Sequence, residues 1–179
     1  PMESIHMTGD FSEGNGWQYT FLVPQDPEGL IELFGGDYKF IDKLDSLFTI
    51  TGDMGEHASI DITGLIGMYA QGNEPCHHMA YLYAFAGQQW KTAEKIRYIL
   101  DEFYTNEHDG LIGNEDCVQM SAWYVMSSLG FYPVNPSNGV YVFGSPLFDE
   151  AKINLPEGKT FTIQAENNSK ENIYIQSVV

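Results

Sequence analysis

The chain has 179 residues, 43% of them hydrophobic and 14% aromatic, enough to bury one good core and a small second layer. Its 25 acidic and 8 basic residues give a formal net charge of −17, with no cluster of lysine or arginine. Nucleic acid and anionic membranes need a basic footprint and are poor partners, whereas a neutral sugar or a hard cation such as calcium suits this field. No apolar run approaches the roughly 20 residues of a membrane span.

The two cysteines, Cys76 and Cys117, are too few for a disulfide framework and form no C-x-x-C pair, so they leave the compartment open. The opening Pro1-Met2-Glu3 shows no signal peptide and runs at once into motif-bearing sequence. We therefore expect this sequence to be a piece of a longer protein.

Residues 17–129 carry mostly helical patterns separated by glycine-bearing loops. Pro27 at a first helical position and a Gly35-Gly36 stop predict a short helix over 27–34. An apolar stripe with i, i+4, i+7 and i+8 spacing then predicts an amphipathic helix that starts at Asp37. The stripe consists of Phe40, Leu44, Leu47 and Phe48.

Three further helical patterns follow along the chain. The segment 77–86 is apolar nearly all round, which predicts an inner helix, whereas 90–104 has one apolar and one charged face, which predicts an outer one. The segment 119–129 predicts another helix, which Gly130 ends as a glycine cap. Because apolar and amphipathic helices alternate, we expect helical hairpins, with inner members surrounded by outer ones, over a helical part that spans residues 1–130.

The pattern changes to short strands after this helical part. Strand-like runs punctuated by proline, glycine and asparagine occupy 131–136, 140–143, 152–155, 160–164 and 173–176. We interpret residues 131–179 as trailing antiparallel β elements that stop in the middle of a strand. The predicted fold class is therefore mainly α, followed by short antiparallel β-strands.

Three short segments each place a carboxylate among glycines, amides and aromatics just before an apolar helical pattern. They are Glu13-Gly14-Asn15-Gly16-Trp17-Gln18-Tyr19, Gly72-Asn73-Glu74-Pro75-Cys76-His77-His78 and Gly113-Asn114-Glu115-Asp116-Cys117. Acids at the mouth of a helical scaffold suit glycoside hydrolysis, which generally needs one protonated and one ionised carboxyl group on opposite sides of the bond. The layout favours sugar chemistry without saying which acid does what.

Glu13 and Asp116 are the candidate pair. Glu13 stands near the rings of Trp17 and Tyr19, and reduced hydration there would favour the protonated form that a general acid needs. Asp116 follows an amide and another acid, a cluster that could hold a water or a metal ion. The simpler alternatives are that Glu13 interacts with a helix dipole and that Asp116 caps the helix over 119–129.

The second segment offers ligands for a metal or a sugar. Asn73 and Glu74 supply hard oxygen atoms in the kind of loop that calcium accepts, although the regular EF-hand loop is absent. His77 and His78 would point about 100° apart on a helix, which predicts one site-lining and one packed histidine rather than a zinc pair. Trp17 could offer a sugar ring a stacking face, although most aromatics are expected in the core.

Other common chemistries lack support in this sequence. No nucleophile-elbow motif accompanies a Ser-His-Asp triad, Cys117 has no evident activating partner, and no glycine-rich phosphate loop is present. Hydrolysis by paired carboxylates remains the best-supported chemistry.

Taken together, the segments and their order resemble glycoside hydrolase family 92, a family of α-mannosidases. The resemblance runs across nearly the whole chain and rests on seven blocks that are weak singly and strong in register. Besides the three segments above, the blocks are Gly87-Gln88-Gln89-Trp90-Lys91-Thr92, Asp109-Gly110-Leu111, Gln119-Met120-Ser121-Ala122-Trp123-Tyr124 and Leu129-Gly130-Phe131-Tyr132-Pro133.

The resemblance implies the C-terminal part of an (α/α)6 toroid and some trailing strands, with an N-terminal β-sandwich and the first part of the toroid elsewhere in a parent protein. It implies an exo-acting, calcium-dependent, inverting enzyme that removes terminal α-mannosides from N-glycans or mannans, with α-1,2 linkages expected. It also implies a periplasmic, surface-attached or secreted parent. We expect the isolated piece to be inactive or nearly so, because half a toroid leaves inner helices without partners.

The same resemblance assigns roles by motif position. It makes Glu13 the general acid, Asp116 the general base that activates water, and Asn73 and Glu74 the calcium-binding residues. The expected substrate-binding residues are Trp17, Glu74, His77, His78, Asn114 and Glu115. Because inversion leaves room for a water between the two catalytic carboxyl groups, we expect them to lie roughly 6.5 to 9.5 Å apart in an intact site.

Three positions depart from the family pattern. Val118 stands where glycine is frequent, Gly16 where alanine is common, and Asn114 where some members carry a second aspartate, so the surroundings of the base stay open. Two alternative functions also remain: a module that binds mannose without cleaving it, and a helical-toroid glycosidase that acts on glucosides.

Overall fold

The computed structural model describes residues 3–56 and 60–179. Within them the fold mixes helices with short antiparallel strands. The helices are α1 (Gly16–Phe21), α2 (Pro27–Phe34), α3 (Asp37–Thr49), α4 (Leu82–Phe85), α5 (Gln89–Phe103) and α6 (Gln119–Leu129). The strands are β1 (Leu65–Ile66), β2 (Tyr69–Ala70), β3 (Phe131–Tyr132), β4 (Val142–Phe143), β5 (Glu150–Asn154) and β6 (Thr160–Gln164). Short 3₁₀ turns lie at Glu74–Cys76, Met79–Tyr81, Asp116–Val118, Pro136–Asn138 and Pro156–Gly158.

The helices bury the apolar stripes that the sequence predicts. The buried members of α3 and α5 include Phe40, Leu44, Leu47, Ile96, Ile99 and Leu100. Burial of one such side chain contributes about 1.5–3 kcal/mol. Local signals set the helix ends: Asp26 caps α2 by accepting a hydrogen bond from the Gly29 amide, and Gly35 ends it in the left-handed conformation.

Most helix predictions are confirmed. The helices predicted over 27–34 and 119–129 have those bounds, and α5 lies one residue earlier than the predicted 90–104. In the part of the chain that the structure describes, no helix is long and apolar enough to span a bilayer.

The prediction of a continuous inner helix over 77–86 is wrong. This segment forms a 3₁₀ turn and then the four-residue helix α4, although it is buried as expected. The cause is tertiary hydrogen bonding around His77, whose carbonyl accepts from the Trp123 indole N–H at 2.9 Å. The Tyr81 amide, which would bond that carbonyl in a regular helix, donates to the His78 carbonyl instead.

The strand predictions are confirmed in part. The strand over 160–164 is confirmed as β6, which pairs with β5 in an antiparallel hairpin, and β5 starts two residues before the predicted 152–155. The strands predicted over 131–136 and 140–143 are shorter than expected: only the two-residue strands β3 and β4 form, and they pair with each other. The strand predicted over 173–176 is wrong: among the described residues this segment has no strand partner, and the Ile173 carbonyl accepts from the hydroxyl of Ser145 at 2.7 Å.

The chain's single arginine joins the helical and β parts. Arg97 of α5 is only 7% exposed, and its guanidinium donates to the Ser145 hydroxyl at 2.9 Å, to the Pro146 carbonyl at 2.6 Å and to the side-chain oxygen of Asn168. A planar guanidinium with several satisfied donors holds its acceptors in one geometry. Arg97 therefore anchors both ends of the segment 145–168, the β5–β6 region, to α5.

Substitution Arg97→Met should loosen this region. The change keeps an apolar stem but leaves buried acceptors without a donor, which costs about 1–3 kcal/mol. Amide hydrogen exchange of the full-length protein should accelerate over 145–170. Lys152→Met, which removes an exposed cation paired with Glu150, is the matched control and should change little. Unaltered exchange in Arg97→Met would contradict the anchoring role.

Candidate active site

Glu74 is the carboxylate on which the three acidic segments converge. It starts the 3₁₀ turn Glu74–Cys76, and its Oε1 is buried without a hydrogen-bond partner among the described residues. Desolvation raises the pKa of Glu74, its own backbone opposes this, and the carboxylates of Asp116, Asp61 and Glu13 raise it further. Acids that are far apart in the chain therefore lie close enough to Glu74 to disfavour its ionisation.

The segment that carries Glu13 is held by two asparagines. The Asn15 side chain caps α1 by accepting from the Gln18 amide at 3.0 Å, and its NH₂ donates to the carbonyls of residues 5–6 at 2.9 and 3.1 Å. The Asn73 side chain donates to the Glu13 carbonyl at 2.8 Å and ties the first segment to the second. Glu13 itself is exposed, so the expected loss of hydration beside aromatic rings is not found.

A close backbone contact joins the second and third segments. Gly113 has a φ of +78°, and a Cβ at this position would lie 2.5 Å from the Gly72 carbonyl oxygen. Glycine is required here, because a side chain would be strained and would clash with backbone. Residues 71–72 also donate backbone hydrogen bonds to residues 63–64 at 2.9 and 3.0 Å, so a third stretch of chain lies against the second segment.

Asp61, just before that stretch, is a site residue that sequence reasoning missed. Its carboxylate accepts a hydrogen bond from the side-chain amide of Asn114, two residues before Asp116. It also helps to raise the pKa of Glu74. The sequence signal was an isolated acid ahead of a glycine turn, which is too common to indicate a site.

Asp116 is exposed and lies in the 3₁₀ turn that precedes α6. The alternative that it caps α6 is wrong, because the N-cap residue is Val118 and the Ser121 amide in the first turn of that helix bonds Glu115 rather than Asp116. Its neighbour Glu115 is tied to that helix instead: the Glu115 carboxylate accepts from the Ser121 amide at 3.2 Å and from the Ser121 hydroxyl at 2.8 Å. Asp116 is thus left free of a capping role.

His77 and His78 are both buried and neutral near pH 7. Burial lowers the pKa of His77 to about 4 and also lowers that of His78. The His77 Nε2–H donates to the Gln71 carbonyl at 2.9 Å, so the Nδ1 accepts from the Gln119 amide at 3.2 Å. The His78 Nε2–H donates to the Phe21 carbonyl at 2.7 Å. Both rings are held by backbone.

A cleft of about 370 Å³ opens beside Glu74. Its polar lining comprises Glu74, both histidines and Gln119, whose amide also donates to the Tyr132 hydroxyl at 3.1 Å. Its apolar lining consists of Leu22, Pro24, Pro75, Ala122, Met126, Pro133, Val134 and Pro136. A few placed polar groups over an apolar surface are typical of small-molecule sites.

Trp17, predicted to contact the substrate, lies in the core. It is 6% exposed, its indole N–H donates to the Glu3 carbonyl at 3.1 Å, and the Lys43 ammonium sits 3.5 Å from its ring centroid. The ring has no open face for a sugar here, so this placement does not support the prediction.

The donor atoms of the site suit calcium better than a soft metal. Across residues 3–56 and 60–179, no group of three or more His, Cys, Asp and Glu side chains is arranged to hold a metal ion. Glu74, next to Asn73, nevertheless keeps a buried oxygen that has no hydrogen-bond partner among those residues, and hard oxygen donors are what calcium takes. Burial raises the pKa of the Cys76 thiol to about 12, so it supplies no thiolate at neutral pH.

Strained backbone separates Asp116 from α6. Cys117 and Val118 have left-handed φ values of +50° and +66°, and such a conformation costs about 1–3 kcal/mol in a residue other than glycine. Val118→Gly should therefore raise the free energy of unfolding of the full-length protein by about 1 kcal/mol, as measured by denaturant unfolding. Val125→Gly, at another exposed valine but inside α6, should lower it by about 0.5 kcal/mol. Destabilisation by both substitutions would contradict the strain.

The buried His77 makes stability depend on pH. Its pKa is about 4 in the folded chain and 6.5 for a freely hydrated histidine, so its contribution is complete above about pH 6.5 and is lost as the pH falls toward 4. The loss amounts to about 3 kcal/mol. His77→Gln should flatten the dependence of the unfolding free energy on pH between 6.5 and 4, while His108→Gln, at an exposed histidine, should not. An unaltered slope in His77→Gln would refute this.

Comparison with known proteins identifies the family. The model of the glycosyl hydrolase family 92 catalytic domain matches residues 1–179. The chain is 45% identical to the GH92 alpha-mannosidase BT3965 from Bacteroides thetaiotaomicron, with a TM-score of 0.82 over 93% of this chain and 21% of that one. Against the complex of BT3965 with mannoimidazole, the identity is 42% and the TM-score 0.88, over 98% of this chain and 24% of that one.

Two further relatives extend the comparison. The GH92 inverting mannosidase BT2199 from the same bacterium is 39% identical, with a TM-score of 0.78 over 98% of this chain and 25% of that one. A secreted glycosidase of Arthroderma benhamiae is 33% identical over 167 residues, which are 92% of this chain and 20% of the relative. The chain thus spans a fifth to a quarter of the length of these relatives. Because the family model covers it from the first residue to the last, the chain belongs to glycosyl hydrolase family 92.

Proposed function

We propose that this chain forms one side of the active site of a calcium-dependent, inverting exo-α-mannosidase. The observation that carries the proposal is the convergence of Glu13 and Asp116 on Glu74 from three separate segments. Paired carboxyl groups across a bond are what glycoside hydrolysis requires. Similarity to a mannosidase bound to mannoimidazole, and to one described as inverting, supports the choice of sugar and of outcome.

Glu13 acts as the general acid and Asp116 as the general base. Glu13 gives its proton to the departing glycosidic oxygen, while Asp116 takes a proton from the water that attacks the anomeric carbon from the opposite face. The product then has the inverted configuration, and an inverting site leaves room for this water by holding its two carboxyl groups roughly 6.5 to 9.5 Å apart. Both side chains are exposed, which leaves them accessible to a sugar and a water.

Asn73 and Glu74 would hold the calcium ion, with further oxygen ligands from the rest of the parent protein. When bound, the ion supplies a positive charge for the O2 and O3 hydroxyls of the terminal sugar. The Glu74 Oε1 is buried and has no hydrogen-bond partner in the described part of the chain, and together with the surrounding carboxylates it supports this donor set. A cation here would also offset the mutual repulsion of the acids.

The remaining groups bind the sugar. The neutral rings of His77 and His78 line the cleft beside Glu74, and their bonds to backbone fix them as an uncharged wall for the sugar to contact. Asn114 and Glu115 flank the base and complete this set. The proposed substrates are terminal α-mannosides of N-glycans or mannans, with α-1,2 linkages.

The rest of the parent protein completes the architecture. We assign α1–α6 to the C-terminal part of an (α/α)6 toroid, and the remainder of the parent supplies the opposite wall and the subsites beyond the terminal sugar. The relatives are four to five times longer than this chain, which supports such a division. The secreted fungal relative supports an extracytoplasmic parent.

Activity of the full-length parent tests the proposal. It should release mannose of inverted configuration from α-1,2-mannobiose, as followed by proton NMR, and a calcium chelator should abolish most of this activity. Glu13→Gln and Asp116→Asn preserve shape but remove proton transfer, so each should lower kcat by about 10²- to 10⁴-fold.

The control is Asp26→Asn, a change of the same kind at the exposed N-cap of α2, which should retain activity because either residue caps a helix. Full activity after chelation and in Glu13→Gln would sink the proposal. Mannose binding by calorimetry without turnover would favour the binding module, and preference for glucosides in a panel of aryl glycosides would favour the other glycosidase.

A further inference from the structure

The position of Asp116 depends on the residues before it. Glu115 is bonded to Ser121 of α6, while Asn114 is bonded to Asp61, which belongs to a different part of the chain. Asp116 itself is exposed at the turn, and the two residues after it have strained left-handed backbone. The contacts of residues 114 and 115 therefore determine where this carboxylate points.

Asp61 is a well-fixed acceptor. Its carbonyl accepts a hydrogen bond from the Thr63 amide at 3.0 Å, and a Cβ on Gly72 would lie 3.2 Å from the same carbonyl oxygen. The Asp61 backbone is therefore seated on the segment that carries Glu74. The side chain reaches from there to Asn114, so it links the second and third acidic segments.

We propose that Asp61 is a positioning residue for the general base: by accepting the hydrogen bond of Asn114, it holds residues 113–116 so that Asp116 serves the site. This inference rests on the function proposed above. Asn114 suits this role because its side-chain amide is uncharged. An amide facing Asp61 adds no further negative charge where Glu13, Glu74 and Asp116 already repel one another.

Loss of the Asp61–Asn114 hydrogen bond should slow the chemical step, because it would displace the general base. Displacement of a catalytic group by about 1 Å can cost about 10²-fold in rate. The groups that line the cleft beside Glu74 are bonded to other residues, so substrate affinity should change far less. Loss of the Asp61–Asn114 bond should thus lower kcat and leave KM nearly unaltered.

Substitution Asp61→Leu in the full-length parent tests the inference, because leucine is similar in size but offers the Asn114 amide no acceptor. We expect kcat on α-1,2-mannobiose to fall about 10- to 100-fold, with KM unaltered within about threefold. The double exchange Asp61→Asn with Asn114→Asp restores a donor–acceptor pair at the same net charge and should recover most of kcat. In an Asp116→Asn background, Asp61→Leu should cause no further loss, because it acts through the base.

The outcomes separate this inference from the proposed function. Wild-type kcat in Asp61→Leu, a loss that adds fully to that of Asp116→Asn, or no recovery in a folded double exchange would each overturn the positioning role while the mannosidase proposal stands. A wild-type parent that cleaves no mannoside would overturn both. If Asp61→Leu alone does not fold, as judged by its melting curve, the activity of the folded double exchange decides: recovery supports the role and inactivity refutes it.

Discussion

The mutual repulsion of acids gathered around Glu74 is the constraint on which this site depends. Carboxylates of Glu13, Asp61 and Asp116 all disfavour the charged form of Glu74, and desolvation adds to their effect. Neutral amides hold the segments together in spite of this: Asn73 bonds the backbone at Glu13, and Asn114 bonds Asp61. Such an arrangement keeps negative charge concentrated and oriented without letting the segments separate, which suits a hard cation and acid–base chemistry.

The inner segment 77–86 is not a regular helix where it contributes to this site. The carbonyl of His77 bonds the Trp123 indole, while its ring bonds the Gln71 carbonyl and the Gln119 amide. These bonds interrupt the helix that the apolar pattern favours, but they hold a neutral imidazole at the cleft wall. Burial of the ring keeps it uncharged near pH 7, so it adds hydrogen-bonding capacity without further charge.

The β elements are coupled to the helices through a few polar anchors rather than through a broad sheet. Arg97 bonds the backbone and side chains of the β5–β6 region, and the Gln89 side chain donates to the Gly144 carbonyl at 2.8 Å. Apolar surface nevertheless stays open on both parts: Tyr98 of α5 and Phe161 of β6 are about half exposed. The chain is a fifth to a quarter as long as its relatives. The rest of the proposed parent would pack against these apolar faces.

Local signals in the sequence determined the elements that depend on near neighbours. Pro27 starts α2, Gly35 ends it and Gly130 ends α6, while alternating side chains specify β6. These signals are readable in the sequence because caps and side-chain periodicity act within a few residues. The order of the motifs likewise indicated the family and the candidate site acids Glu13, Glu74 and Asp116. Only the tertiary structure revealed Asp61 beside Asn114, the broken helix after His77 and the core position of Trp17. Each of these depends on a hydrogen bond or a packing contact between residues distant in the chain, and periodicity in the sequence carries no record of such pairs.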